Sequence, residues 1–450
     1  MTLTVLNPAT ELPIAELEQA GVEEADKAVA HAQAAFPAWS AVAPADRARL
    51  LRRLATLVEE NAEELARIES ENVGKPISGA RGEIAMVAQV FHFYAGAIDK
   101  HVGETIPVAG GVAATFREPL GVVGLIVPWN FPANIASWKL GPALACGNTV
   151  VLKPAELTPL SALRLGELCL DAGIPEGVVN IVVGKGSVVG QRLVEHPDVA
   201  KIAFTGSTEV GRQVMQAAAG TIKRVTLELG GKSANVIFED ADLEKAAAAA
   251  PYSVFDNAGQ DCCARSRVLV QKSVYDRLLE LLVDATRGVK VGDPADDETE
   301  MGPLVSAAHR ETVASFVEGE PAFRGVVPEG PGYWYPCTLV EATNEDRVAR
   351  EEVFGPVAAV IPFEDEADAI GISNDTPYGL SGSIWTRDGA RALRVARATE
   401  AGVLSVNANT SVRVQTPFGG FKQSGFGREL GMHALDGYSE VKSVFISTEV

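Results

Sequence analysis

The sequence predicts an α/β protein built on two mainly parallel sheets, and three observations carry that expectation. Short β-branched runs alternate with helical stretches from Gly121 onward, and a second set of the same kind follows Cys262. The chain, at 450 residues, is long enough for two or three domains of about 150 residues each. Apolar residues at 47% and charged residues at 22% belong to a folded globular chain. Acidic residues outnumber basic ones by 59 to 39, a net charge of −20, which repels nucleic-acid backbones and anionic bilayers alike. Neither is expected as a partner. The five cysteines are odd in number and too few for a disulfide framework, which suits a reducing compartment. Met1-Thr-Leu-Thr-Val lacks the basic and apolar regions of a secretory signal, and the longest apolar run, near Val122 to Val127, is too short to span a bilayer. A cytoplasmic location follows as the expectation. No His-x-x-x-His or Cys-x-x-Cys spacing supports a metal site.

Taken in order, Val22 to Glu69 repeats apolar residues at helical spacing (Ala28, Ala32, Ala35, then Leu50, Leu51, Leu54, Leu57), with Pro44-Ala-Asp46 as a helix start. His101 to Glu118 reads as an extended hairpin turning at Gly110-Gly111. Strands are expected at Val122–Val127, Thr149–Leu152, Val179–Val183, Ile202–Phe204, Val225–Leu227 and Val236–Phe238, separated by helical stretches. The run Lys245 to Ala250 is alanine-rich helix. The second α/β set comprises Val268–Gln271, a helix over Tyr275–Thr286, Val357–Pro362, Ala367–Asn374, Ser383–Thr386 and Val403–Val406. Tyr438 to Ser447 is a further extended run. The hairpin and this tail either pair with another subunit's sheet or edge their own domain, and pattern leaves both open.

Cys262 sits in the polar loop Asn257-Ala-Gly-Gln-Asp-Cys-Cys-Ala264, where a thiol can be presented at a cleft. A thiol nucleophile needs an oxyanion donor and a proton acceptor, and no histidine shares this motif. Asn130, between Pro128 and Pro132 after the first strand, and Glu228, in Leu227-Glu-Leu-Gly-Gly-Lys232, stand where α/β sheets bind ligands. Each read singly is equally a turn former or a solvated strand end. Gly184-Lys-Gly-Ser-Val-Val-Gly190 and Phe204-Thr-Gly-Ser-Thr-Glu-Val-Gly211 place glycines and hydroxyls between a strand and a helix, where backbone N–H groups can meet a pyrophosphate. Lys153 and Glu156 end a strand with a cation and a carboxylate, and an acid there suits ribose hydroxyls.

In this order the segments Pro128–Pro132, Lys153–Glu156, Phe204–Gly211, Leu227–Lys232, Gly259–Cys262, Glu352–Pro356 and Pro417–Lys422 resemble the NAD(P)-dependent aldehyde dehydrogenase superfamily, from about Asn7 to Ser447. The resemblance implies two doubly wound Rossmann-like domains with an extended oligomerisation hairpin and tail. The NAD-binding domain would span 1–100 and 120–228, the catalytic domain 229–437, and the oligomerisation segments 101–119 and 438–450. It implies Cys262 as the nucleophile, Asn130 as oxyanion donor and Glu228 as the base that activates water against a thioester. NAD, with NADP also possible, would be held by Trp129, Lys153, Glu156, Gly186, Gly206, Ser207, Val210, Leu229, Glu352 and Phe354. A homodimer or homotetramer acting on a small aldehyde is implied.

By family position, Phe131, Ile135, Trp138, Asp256, Asp261, Val412 and Phe418 would line the substrate tunnel. Asp261 directly precedes the nucleophile, and its charge is expected to raise the thiol pKa, so that a cation should compensate. Asn257–Cys262 and Asp296-Asp-Glu-Thr-Glu-Met-Gly-Pro303 resemble γ-aminobutyraldehyde dehydrogenases, which implies an ω-aminoaldehyde such as 4-aminobutanal. Betaine aldehyde and neutral aldehydes are the alternatives, as is a geometry in which Asp256 and Asp261 turn away to backbone or Arg265. A coenzyme A acylating relative and a catalytically silent one are the less favoured readings.

Overall fold

The computed structural model describes residues 2–410 and 412–449. Met1 of the first expected segment, Ser411 of the catalytic one and Val450 of the tail lie outside the described residues. A six-stranded sheet runs, in spatial order, Gly425–Phe426, Arg224–Glu228, Val199–Thr205, Val122–Ile126, Thr149–Lys153 and Val179–Ile181. All neighbours are parallel except the first pair. Every residue of Val122–Ile126 and Thr149–Lys153 is buried, because helices cover both sheet faces. That is why these strands read as continuous apolar runs with no alternation. The chain leaves Val122–Ile126 toward one edge and later returns to its other side with Val199–Thr205. The reversal opens a crevice beyond the carboxyl ends of those two strands, above Trp129 and Gly206.

A seven-stranded sheet runs Phe323–Arg324, Thr338–Glu341, Val357–Phe363, Arg267–Gln271, Ala234–Ile237, Ser381–Trp385 and Val403–Val406, parallel but for the first pair. It presents the opposite edge to the crevice: Gly230, Cys262 and Phe354 all precede the strands they lead into. The two sheets therefore meet carboxyl end to amino end.

Two differences from the sequence reading concern short elements. Thr2–Leu6 and Pro13–Glu18 form an antiparallel ribbon that periodicity did not announce, since only Val5 of the first strand is buried. Gly425–Phe426 joins the six-stranded sheet beside Glu228 and Leu227, and Val414, Phe418, Leu430, Ala434 and Leu435 fill the core of that same half. The stretch after Val412 thus packs away from the sheet its sequence position suggested, and a two-residue strand carries no period to reveal this.

The hairpin consists of Thr105–Val108 and Gly111–Pro119. The tail strand Ser439–Ser447 pairs antiparallel along it, from Ser439 opposite Pro119 to Ser447 opposite Gly111. Hairpin and tail thus edge each other within one chain. Their root is tied by the fully buried Asn148, whose Oδ1 accepts the Leu120 and Gly121 N–H groups at 2.7 and 3.2 Å and whose Nδ2 donates to the Tyr438 and Ala143 carbonyls at 2.8 and 3.2 Å. One amide thereby joins the entry of the central strand, the end of the helix Pro132–Ala145 and the start of the tail. Each buried backbone group left without a partner costs about 1–3 kcal/mol. Asn148→Ala is expected to lower the melting temperature by several degrees in a thermal melt; an unchanged melt would contradict this role.

Candidate active site

The loop that carries Cys262 is forced into shape by its own backbone. The helix Leu243–Phe255 stops, and Asn257, Ala258 and Gly259 then take φ of 49°, 55° and 72° in succession. Such left-handed geometry is costly for residues with a Cβ. At Gly259 a Cβ would stand 2.2 Å from the Gly355 carbonyl oxygen, so only glycine fits. The turn is held by amides. Gln260, fully buried, accepts the Val305 N–H through Oε1 at 2.8 Å and donates Nε2 to the Asn257 carbonyl at 2.9 Å. Asn130 Nδ2 donates to the Gln260 carbonyl at 2.8 Å, and Asn257 Nδ2 donates to the Asn130 carbonyl at 2.9 Å. A primary amide has two N–H groups, so Asn130 is anchored by one and keeps a second for the cavity. Gly231 completes the support: a Cβ there would meet the Cys262 carbonyl oxygen at 2.4 Å.

Cys262 and Asn130 line one cavity of about 290 Å³ at the junction of the two sheets. Of the sequence-predicted residues, Trp129, Phe131, Ile135, Gly206, Ser207, Leu229, Glu352 and Phe354 share its wall. Trp129 packs edge-on to Phe354 at 5.3 Å, and Phe354 holds φ of 55°. Lys153, Glu156 and Gly186 gather separately: the Gly186 N–H reaches Glu156 Oε2 at 3.4 Å, and Lys153 Nζ lies 4.0 Å from where a Gly186 Cβ would be. Val210 is exposed on the helix Thr208–Ala218, its N–H donated to the capping Ser207 Oγ at 3.3 Å. Trp138 and Phe418 pack together at 5.1 Å in the core that holds Val123 and Leu125, Val412 packs against that core, and none of the three is on the wall of this cavity.

The sequence reading left Cys262 without a nearby histidine, and the structure corrects this. His309 lines the same cavity, its ring 5.3 Å from Trp129 and its Nε2 2.7 Å from the Phe354 carbonyl. Burial lowers its pKa, which favours the neutral imidazole. No motif links it to Cys262, because the helix Ala307–Ala314 reaches the cleft only through folding.

Electrostatics divide the remaining groups. The Cys262 thiol is held well above its ordinary pKa, first by the Cys263 thiol beside it, then by burial, with Asp261 and Glu352 adding to the shift. The two sulfurs and an Asp261 carboxylate oxygen lie within 4.8 Å of one another. The expected influence of Asp261 is therefore present, but its neighbour Cys263 outweighs it. Asp261 turns one oxygen to the Cys263 N–H at 2.9 Å, and burial raises its own carboxyl. Asp256 is exposed, raised by the surrounding protein and by Asp261 against Lys75, and neither it nor Asp261 is on the wall of the Cys262 cavity, where they were expected. Glu228 is buried with neither oxygen hydrogen-bonded among the described residues, and burial, then Glu429, push it well up. Glu429 itself is paired with Lys139, both fully buried. Burial lifts Glu352 to about 7, opposed by the Gly231 N–H at 2.9 Å and by Lys232.

The cleft fits a dinucleotide. Gly206 and Gly230 strip its rim of side chains, since a Cβ at either would stand 2.6 Å from the Phe204 ring or 2.1 Å from Glu352 Oε2, and the helix Thr208–Ala218 points its N-terminus there. A doubly wound scaffold with a cysteine and an amide donor in one cavity defines a thiol-dependent oxidoreductase class. The aldehyde dehydrogenase family model matches residues 1–444, and this chain belongs to that family, whose members act on the aldehyde group as oxidoreductases. It is 42% identical to the betaine aldehyde dehydrogenase of Bacillus subtilis, across 99% of this chain and 94% of the relative. An aldehyde dehydrogenase of Bacillus cereus, solved as its NAD+ complex, superposes with a TM-score of 0.98 at 43% identity, covering 100% of this chain and 94% of that one. The structure of PnpE in complex with nicotinamide adenine dinucleotide gives 0.98 at 45% identity, covering 100% and 95%; PnpE is from a Pseudomonas species.

A thiol raised this far is mostly protonated at neutral pH, so alkylation of Cys262 by iodoacetamide is expected to be slow there and to climb steadily into the alkaline range. Cys263→Ala should accelerate it at neutral pH more than Asp261→Asn does, read by mass spectrometry of the labelled peptide. A rate already flat at neutral pH would contradict the assignment.

Proposed function

We propose that this chain oxidises a small cationic aldehyde to its carboxylic acid, with Cys262 as the nucleophile and NAD as the cofactor. The single observation carrying the reading is the meeting of Cys262 and Asn130 in a cavity whose far wall is Trp129, Gly206, Glu352 and Phe354. Cys262 Sγ, its proton released to solvent, bonds to the carbonyl carbon as the C=O π pair moves onto oxygen, and the free Asn130 N–H together with the Cys262 N–H stabilises that oxygen as it gains charge. Preorganised donors of this kind contribute about 3–4 kcal/mol each. Bound NAD supplies the hydride acceptor. Trp129, Phe354 and Glu352 would hold its nicotinamide half, Lys153, Glu156 and Gly186 its adenosine half, and Ser207, Val210 and Leu229 the part that joins them. Glu156 favours an unphosphorylated ribose, while the Lys153 ammonium beside it leaves NADP usable. Glu228, a base of raised affinity for protons, takes the proton of the water that cleaves the acyl–sulfur bond, and the acid leaves.

The substrate's charge is argued from Asp261 and Asp256. Asp256 is exposed and Asp261 half-buried; both are raised above the ordinary carboxylate range although Lys75 acts on each and Arg265 on Asp261, so a further cation beside them is favoured. A cation about 6 Å from one of them gains roughly 3 kcal/mol at an effective dielectric of 20, before solvent losses. An ω-aminoaldehyde such as 4-aminobutanal meets that condition. Betaine aldehyde is the second reading, supported by the Bacillus subtilis relative's name and by the aromatic wall of Trp129 and Phe131, which suits a quaternary ammonium. In a NADH-forming assay, 4-aminobutanal or betaine aldehyde is expected to exceed butanal at least tenfold in kcat/KM, and Asp261→Asn to erase most of the difference. Equal values would retire the cationic substrate. In the same assay Cys262→Ala should be inactive, while Glu228→Gln should accumulate acyl-enzyme visible by mass spectrometry.

The assembly is read as a homodimer or homotetramer working in the cytoplasm. No helix of the described residues is long and apolar enough to cross a membrane. Phe116 and Ile446 stand exposed on one face of the sheet formed by the hairpin and tail strands, 49% and 58% accessible, and Val441 and Phe445 on the other, 52% and 56%, exposed apolar side chains of the kind that mark an interface. Sedimentation is expected to give a dimer or tetramer, with Phe445→Glu shifting it toward monomer; a monomeric wild-type chain would refute this.

A further inference from the structure

A second, much smaller cavity of about 20 Å³ lies within the seven-stranded sheet half, where Ala234–Ile237, Arg267–Gln271 and Ser381–Trp385 run side by side. Its wall includes Lys232, Ser233, Arg267 and Ser373. Lys232 is 2% exposed, and its ammonium has no hydrogen-bond partner among the described residues; the Ser233 and Ser373 hydroxyls have none either. Arg267, 1% exposed, donates Nε to the Lys232 carbonyl at 2.9 Å, Nη1 to Ile372 at 2.8 Å and Nη2 to Ser373 at 2.9 Å. All three acceptors are neutral. The acid on the same wall, Glu400, is drawn off by Lys422 at 2.5 Å.

Two buried cations and two orphan hydroxyls therefore surround one small space; Glu352 and Glu351 act on the Lys232 ammonium and Asp375 on Arg267, but none of them hydrogen-bonds to Lys232 among the described residues. A buried ammonium with no hydrogen-bond partner is unfavourable, and orphan buried hydroxyls are uncommon in folded proteins. A cavity needs about 10–15 Å³ to hold one water, so this one admits a single monatomic ion or a water and excludes phosphate or a carboxylate. Water satisfies the hydroxyls, whereas an anion accepts from the hydroxyls and also from the Lys232 ammonium, which the acids around it leave without a hydrogen bond.

We propose that this cavity binds one halide ion, chloride in ordinary buffers, held by Lys232, Ser233, Ser373 and Arg267. The ion would brace the strand entry just beyond Gly231, the residue that gives its N–H to Glu352 and makes room for the Cys262 carbonyl. This is a binding property of the chain, and its test does not pass through catalysis.

The test compares thermal melts of the full chain in sodium chloride, bromide and gluconate at matched ionic strength, together with anomalous scattering from bromide-soaked crystals. Chloride and bromide are expected to raise the melting temperature over gluconate by about 2 °C or more, with saturation, and bromide to give an anomalous peak beside Lys232. Lys232→Met should abolish both the halide-specific increment and the peak. If that variant does not fold, Ser373→Ala should weaken the halide response with the same readouts. Identical melts in all three salts with no bromide peak would overturn the proposal and leave a water-filled cavity.

Discussion

The interlocked amides of Asn130, Asn257 and Gln260 are the constraint on which the site depends. A run of left-handed residues does not persist by itself, and here the surrounding protein holds it in place: the Gln260 side chain is spent on Val305 and Asn257, and its carbonyl receives Asn130. Because Asn130 follows the central strand of one sheet and Cys262 precedes a strand of the other, the same hydrogen bonds that shape the loop also couple the two halves of the molecule. The spacing of Asn130 and Cys262 is thus set by backbone packing rather than by flexible side chains, as the proposed stabilisation of a developing oxyanion would require.

Around that frame the chemistry is one of withheld ionisation. Cys262, Glu228, Asp261 and Glu352 are all shifted toward their protonated forms, and burial is the first or second cause in each case. Crowding such groups lets a bound cation, whether cofactor ring or substrate, change the balance in favour of charge. The half-buried His309, its pKa lowered, fits the same pattern, packed against Trp129 and Phe354 and tied to a backbone carbonyl. The Lys139–Glu429 pair extends it beside Glu228, where Glu429 is the charge that raises the Glu228 carboxyl further.

The hairpin and tail show how an acidic, folded chain can keep an exposed apolar surface. Their three-stranded sheet is closed within one chain along a nine-residue pairing, yet Phe445 and Ile446 remain uncovered there. Asn148 fastens this sheet to the six-stranded one, so a load on the exposed strands is carried directly to the start of Val122–Ile126.

Much of the architecture was legible in the chain itself, for definite reasons. Fully buried parallel strands must be apolar throughout, so Val122–Ile126 and Thr149–Lys153 announce themselves, and the ordered motifs around Asn130, Glu228 and Cys262 name the family. Short or irregular pieces do not: Gly425–Phe426 has no period, and the ribbon at Thr2–Leu6 is mostly exposed. His309 and the Lys232 cavity were invisible because their neighbours are distant in sequence and nothing local marks them. Sequence by itself determined the fold class and the family and singled out the cysteine proposed as nucleophile, since each is written in local composition and motif. Only the tertiary structure decided which groups share a cavity, which of Cys263 and Asp261 weighs more on the thiol, and that hairpin and tail pair within one chain, because burial and proximity exist only once distant segments have packed.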